Sequence, residues 1–329
     1  MVWIKFIICV FAIFFAGRKV ARYGDIIADR TGLGGVWIGV ILVSLITSLP
    51  ELFTGISAVT IVKEPDLTVG DLIGANAFNM FNLAMLDVLS RNRPLLASVS
   101  STHTLTGWFS IILVLLVGVS IFTSARFSPM AVGWVGWYTP ALVLLYIVLV
   151  RFLFKAERGQ YDEEEKMLFH EERESNRKVY LYFSLSSICI IAAGVWLATI
   201  GNEIALTTGF QRSFVGSLFL AFSTTLPELT VSFTAMRMGA KDLAVANLIG
   251  SNLFNMTIIA VGDLCYLPGP LLASVGEGHL VTAVTVVALT LLFMAGLRFQ
   301  PRRFFRFSWW NTLVIALFLI STYFSFTIT

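Results

Sequence analysis

Two carboxylates lie where a carboxylate is costly. Glu51 falls near the middle of the apolar stretch 35–61, and Glu228 near the middle of the apolar stretch 212–237. At bilayer depth an acidic side chain costs about 2.5–3.5 kcal/mol even on a permissive scale, so a pair of them requires a compensating charge. Each glutamate follows a proline. Pro50 has no N–H for the carbonyl of Ile46, and Pro227 has none for that of Ser223. Freed carbonyls beside carboxylates and hydroxyls suit a hard cation. Ser44, Thr47 and Glu51 share one helix face at i, i+3, i+7; Thr224 and Glu228 repeat the i, i+4 pair, with Ala221 at the third position. With no thiol or imidazole in the set, calcium, magnesium or sodium is favoured over zinc or copper. Asn79 and Asn255 add amides on two further stretches. Ala75 and Ser251 lie one turn before them, and Asp71 and Asn247 one turn earlier still. Each asparagine alone could simply bond a neighbouring helix; the whole set favours an ion site.

These residues come in pairs because the chain repeats itself. Thr47-Ser48-Leu49-Pro50-Glu51-Leu52 meets Thr224-Thr225-Leu226-Pro227-Glu228-Leu229 at an offset of 177. Gly17, Gly24, Gly32 and Gly39 meet Gly194, Gly201, Gly209 and Gly216 at the same offset. At an offset of 176, Gly74-Ala75-Asn76-Ala77-Phe78-Asn79 meets Gly250-Ser251-Asn252-Leu253-Phe254-Asn255. Asp66 then meets Asp242, Asp87 meets Asp263, His103 meets His279, and the run at 94–99 recurs at 270–275.

The frame around the pairs belongs to a membrane. Of 329 residues, 57% are hydrophobic and 13% charged, against about 45–50% and 25% in a soluble domain. Mean hydropathy is +0.83. This excludes a disordered chain, a nucleic-acid binder and most soluble enzymes. Ten apolar segments are expected, at 2–27, 35–61, 67–90, 104–123, 129–152, 179–204, 212–237, 243–266, 279–297 and 308–327. The N-terminal segment reads as a span rather than a removed signal. If connections are assigned alternately to two sides, 19 of the 23 basic residues fall on one side and four on the other. The four are Lys5, Lys63, Arg126 and Arg212. The richer side is cytoplasmic by the positive-inside rule, which puts both termini outside. Each half holds five spans, so the second half enters from the opposite side. The expected fold is all-α: ten transmembrane helices in two inverted-topology repeats, 1–154 and 179–329. A charged cytoplasmic linker, 155–178, joins them. In such proteins the site lies near the midplane, on interrupted helices between the halves.

The paired motifs, within 35–90 and 212–266, resemble the two alpha repeats of the sodium/calcium exchangers in the calcium:cation antiporter superfamily. The resemblance runs over essentially the whole chain. It implies exchange of cytoplasmic calcium for external sodium by alternating access, with no enzyme activity. It implies calcium ligation by Glu51 and Glu228, helped by Thr47 and Thr224. Sodium sites would use the carbonyls of Ser44 and Ala221, together with Ser48, Thr225, Ser251 and Asn79; Asn255 falls at a position that varies in the family. Three departures bear on coupling. Ala75 stands where serine is usual, Ser44 where alanine is common, and Asp71 where asparagine is usual. Exchange of calcium, or of another divalent ion, for protons or potassium is the alternative.

Other features are of smaller weight. Asp87 and Asp263 read as polar anchors, and His103 and His279 as interfacial hydrogen-bonding residues. Trp134, Trp137, Trp309 and Trp310 read as membrane-interface residues. Cys9, Cys189 and Cys265 read as small buried hydrophobes. There is no GxSxG, HExxH or P-loop pattern, so ATP is not implied. The expected surroundings are the lipid bilayer of a cell membrane, with calcium and monovalent cations as cargo, no organic cofactor and no nucleic acid.

Overall fold

The computed structural model describes residues 2–90, 94–127, 130–157, 175–208, 221–299, 303–304 and 307–328. Arg91, Arg93, Gly209, Arg212, Gly216, the start of the stretch 212–237 and residues 158–174 of the linker 155–178 lie outside them. The described chain is almost entirely helical. In order it forms α1 (Val2–Thr31), α2 (Gly34–Thr47), α3 (Leu49–Val62), α4 (Pro65–Leu89), α5 (His103–Arg126) and α6 (Tyr138–Glu157). There follow α7 (Asn176–Thr208), α8 (Leu226–Met238), α9 (Lys241–Cys265), α10 (His279–Phe299) and α11 (Trp309–Ile328). Among the described residues six of these helices are long and apolar enough to cross a membrane, and α2 with α3, bent by 42° at the break between them, passes the same test as a pair. The basic cluster Arg18, Lys19 and Arg22 interrupts the apolar surface of α1.

The break between α2 and α3 is where the prolines implied it. Ser48, between α2 and α3, has φ −90° and ψ 5°; its repeat mate Thr225, just before α8, has φ −81° and ψ −1°. Both residues therefore sit in the sparsely populated bridge region. Two stretches of wider π-helical turns, Ile38–Val43 and Ala58–Val62, flank the first break. Such turns release backbone groups from regular pairing.

Helices α4 and α9 form the centre. Of their membrane-crossing windows 67% and 83% is buried, against 22% for the peripheral α6. Both are apolar on most of their surface, as central helices must be. Small residues allow the closest approaches. A Cβ on Gly250 of α9 would lie 2.6 Å from the Val40 Cα, and one on Gly39 of α2 would lie 2.4 Å from the Ala246 Cβ. The backbones of α2 and α9 therefore meet directly. The outer faces carry the large apolar side chains Phe11, Phe15, Leu144, Ile147, Ile188 and Val284, all exposed. This is the surface a lipid environment would cover.

Acids, two buried and two nearer the surface, clasp one half to the other. Asp87, fully buried, accepts from Leu95 N (2.5 Å), Asn311 Nδ2 (2.8 Å) and Trp310 Nε1 (3.1 Å). Its repeat mate Asp263 accepts from Leu271 N (2.7 Å), Gly136 N (2.8 Å), Tyr138 Oη and Thr139 Oγ1 (2.5 Å each). His103 bonds Asp242 at 2.9 Å, and His279 bonds Asp66 at 3.0 Å. The anchor reading of Asp87 and Asp263 and the hydrogen-bonding reading of His103 and His279 fit these contacts.

Three expectations need correction. Trp310 is fully buried rather than at the interface, because its indole N–H serves Asp87. Only Cys9 is buried; Cys189 is exposed and Cys265 partly so. The stretch 129–152 is not helical at its start: strands β1 (Ala131–Val132) and β2 (Val135–Gly136) form a small hairpin, and α6 begins at Tyr138. Gly133 turns that hairpin at φ 66°. A matching hairpin, β3 (Arg303–Phe304) with β4 (Phe307–Ser308), precedes α11. Short hairpins of this kind carry little hydrophobic periodicity, which hid both.

Candidate cation site

Glu51 and Glu228 are both fully buried, in the first turns of α3 and α8. The hydroxyl environment is crossed between halves. Thr47, from the first half, faces Glu228; Thr224, from the second, faces Glu51. Glu228 Oε1 also accepts from Ser48 Oγ (3.1 Å) and Ser251 Oγ (3.3 Å). The repeat mates of those two serines do not serve Glu51. Thr225 turns its hydroxyl to the Phe222 carbonyl (3.2 Å), and Ala75 has none. Neither carboxylate oxygen of Glu51 has a hydrogen-bond partner.

The asparagines form a cross at the contact of α4 and α9. Asn76 Nδ2 donates to the Asn252 carbonyl (3.1 Å), and Asn252 Nδ2 to the Asn76 carbonyl (3.2 Å). Asn79 Nδ2 donates to Asn252 Oδ1 and Asn255 Nδ2 to Asn76 Oδ1, both at 3.0 Å. With their N–H groups so engaged, Asn79 and Asn255 keep Oδ1 atoms that nothing bonds. Asn247 is a brace: its amide donates to the Glu228 carbonyl (3.2 Å) and Ser232 Oγ (3.0 Å), and its Oδ1 accepts from Thr47 (3.2 Å).

Among the described residues, six buried carboxylate and amide oxygens therefore lack a partner: both of Glu51, and one each of Glu228, Asp71, Asn79 and Asn255. None of the described ion pairs reaches them. Unbonded buried acceptors cost free energy unless a hydrogen-bond donor, a water or a cation meets them. No group of three acidic, histidine or cysteine side chains among the described residues could hold a metal ion alone. Hydroxyl, amide and carbonyl oxygens would have to complete the coordination, which is hard-cation chemistry.

Residues 1–155 and 178–329 match the family described as sodium/calcium exchanger protein. The chain belongs to that family. Over 269 residues it is 26% identical to the inner membrane protein YrbG of Escherichia coli, covering 78% of this chain and 77% of that one. A more local match, 31% over 129 residues, is to the human sodium/potassium/calcium exchanger 1, covering 37% of this chain and 12% of that one. The solved sodium-calcium exchanger NCX_Mj superposes with a TM-score of 0.74 at 20% identity over 98% of both chains, a likeness of fold.

In this exchanger family member, several expected ligands face elsewhere. Ser44 Oγ donates to the Val40 carbonyl. The Ser44 carbonyl already accepts from Ser48 N (2.9 Å) and Thr47 Oγ1 (3.3 Å); the Ala221 carbonyl accepts from Thr225 N (3.1 Å) and Thr224 Oγ1 (3.2 Å). Either carbonyl can serve an ion only if its threonine turns away. Sequence reasoning passed over Asn76, Asn252 and Thr54. The first two stood in both copies of the motif, and the repeat itself was the signal that they matter. Thr54 faces Val231 in the repeat, so no pairing drew attention to it.

Proposed function

We propose that this chain is a secondary active antiporter exchanging calcium for sodium across a cell membrane, by alternating access at Glu51 and Glu228. The set of six unbonded, buried acceptor oxygens carries this reading. Glu51 and Glu228, with Thr47 and Thr224, hold calcium. Ser44, Ser48, Asn79, Ala221, Thr225, Ser251 and Asn255 serve sodium, and Asp71 and Ala75 modify coupling. One divalent or several monovalent ions neutralise the two glutamates. The empty, charged site is too costly to carry through the apolar barrier, so only loaded states switch. The ions are cargo, and neither an organic cofactor nor ATP takes part.

The frame we propose is ten spans in two inverted halves, 1–154 and 179–329, with both termini outside. Contacts between the halves support it, since they join ends that the charge count puts on one face. His103 meets Asp242 and Arg30 meets Asn176 on the cytoplasmic side; His279 meets Asp66, Arg126 meets Glu277 and Lys5 meets Glu203 on the other. Helices α1 and α7 pack along each other and carry no ligand, so they are the gate that slides over the core. A second reading, exchange of calcium or another divalent ion for potassium or protons, is favoured by Asp71 and by the hydroxyl missing at Ala75.

The test is calcium-45 uptake into proteoliposomes loaded with sodium, potassium or a proton gradient, one at a time. Sodium-driven uptake that Glu51→Gln or Glu228→Gln abolishes is expected. Uptake that ignores sodium and follows the proton gradient overturns sodium coupling. Near-normal exchange in either variant removes the site.

A further inference from the structure

The two ends of the α5–α10 pair are repeat mates, and they treat their arginines differently. The helices run antiparallel: Gly118 faces Ala283 and Leu280, and Gly107 faces Met294. At one end Arg126 meets Glu277 with both terminal nitrogens, each at 3.3 Å, and its guanidinium lies 3.9 Å from the centre of the Phe122 ring. At the offset of 176, the other end has Ser101 in place of Glu277 and Arg298 in place of Phe122; Arg126 itself is matched by Arg302. The acid is gone and an arginine has been added.

No neighbouring stretch of chain replaces that acid. Neither 88–156 nor 278–329 contains an aspartate or glutamate. Arg298, exposed in the last turn of α10, makes no ion pair among the described residues. Two charged groups touch the loop before α5, and both are committed. Lys241 Nζ donates to Ser98 Oγ (3.0 Å), and Asp242 accepts from Ser100 N (2.7 Å) and bonds His103. Beside Arg298 the surface opens into a cleft of about 550 Å³, a size that holds ligands. Trp108, Leu291 and Met294 wall it, and Ser101, Thr104 and Arg298 give it a polar lining. Trp108 and Leu291 are about half exposed, on a surface that a bilayer would cover. The hydroxyl bonds of this loop run between Ser100 and Thr102, which leaves those of Ser101 and Thr104 to a ligand.

We propose that this cleft binds one anionic phospholipid of the surrounding bilayer. Its phosphate sits on Arg298, Ser101 and Thr104, and an acyl chain lies against Trp108, Leu291 and Met294. A guanidinium pairs with phosphate through two parallel N–H bonds, and the arginine stem covers apolar surface while its head stays at headgroup level. The lipid thus brings from outside the anion that Glu277 provides at the opposite end. A headgroup with a net negative charge is selected over one that also carries an ammonium group, because Asp242 is already engaged and no other acid lies on these stretches. The proposal does not depend on which ions the glutamate pair carries.

The experiment titrates the purified full chain, in detergent, with phospholipids whose acyl chains are brominated and quench indole fluorescence on contact. The chain has eight tryptophans, so the signal of the cleft is the quenching that Trp108→Phe removes. That signal should saturate at about a fivefold lower concentration of phosphatidylglycerol than of phosphatidylcholine, the gain usual for one basic residue at an anionic lipid surface. In Arg298→Gln the difference should disappear. Ser101→Glu, which gives this end the acid of its mate, should abolish it too by pairing with Arg298. Equal saturation by the two lipids in the unaltered chain overturns the site, as does a preference for phosphatidylglycerol that survives both variants. So does recovery of the quenched fluorescence with inorganic phosphate but not with chloride, which would assign the cleft to a soluble anion. If Arg298→Gln does not fold, Ser101→Glu decides alone.

Discussion

Glu51→Gln removes a negative charge from a fully buried position where neither carboxylate oxygen meets a donor. An unpaired buried charge costs about 3–5 kcal/mol, an unbonded buried amide about 1–3 kcal/mol. At alkaline pH without alkali or divalent ions, the variant should therefore be more stable than the unaltered chain by about 2 kcal/mol. The new amide can also donate to its acceptor-rich surroundings. Glu228→Gln should gain far less. Its Oε1 accepts from Ser48 and Ser251, and each bond drops from about 1.5–3 kcal/mol with a charged acceptor to about 0.5–1.5 kcal/mol with a neutral one. That loss offsets the relief. Saturating calcium reverses the order: a ligand at a hundred times its Kd stabilises the unaltered chain by about 2.7 kcal/mol and does nothing for Glu51→Gln. The assay is thermal unfolding in detergent, followed by tryptophan fluorescence, with chelator and then with calcium. If both glutamine variants are equally destabilised without ions, or Glu51→Gln keeps the calcium gain, Glu51 is not the unpaired ion ligand argued here.

Replacing Asp87 or Asp263 with Ala leaves several buried donors unbonded, so each should lose about 3–5 kcal/mol of stability. Chemical denaturation should show losses of similar size for the two, and the folded fraction should keep its calcium affinity. Gly194→Ala would place a Cβ 2.3 Å from the Pro50 Cγ, a ring atom that cannot turn aside. It should slow exchange more than it weakens equilibrium calcium binding, at a stability cost of about 1–3 kcal/mol; comparing uptake rates with calcium-45 binding checks this. Ala75→Ser offers Glu51 a hydroxyl like the one Ser251 gives Glu228, worth about 1.5–3 kcal/mol to a charged acceptor. The sodium concentration that half-releases bound calcium should fall about tenfold or more, and an unchanged value makes that position silent.

The helical membrane fold was legible because its signals are long and repeated. Helices follow from apolar runs, and the matched strings tie Asp87 to Asp263 and His103 to His279 without any contact being known. What pairing could not say is whom each residue meets. Asp242 bonds His103 and Asp66 bonds His279, each across the halves; an offset relates like to like, whereas a clasp joins unlike groups. Trp310 shows the same limit. Its position at a helix start suggested the membrane interface, and only the fold reveals the buried Asp87 that its N–H serves.

Side-chain direction within the site was equally hidden. Ser48 and Thr225 are repeat mates with nearly the same backbone angles, yet one hydroxyl reaches Glu228 and the other a backbone carbonyl. Beside Glu228, Ser251 and Thr47 converge with Ser48 on one carboxylate. Beside Glu51, Ala75 offers no hydroxyl and Thr225 turns its own to the Phe222 carbonyl. Duplication therefore gave two equal frames, and small substitutions at 54, 71 and 75 made the two carboxylates chemically unequal. An exchanger with one well-bonded glutamate and one bare glutamate should fill its bare side first. The order of ion binding would then be written in the positions where the two halves disagree.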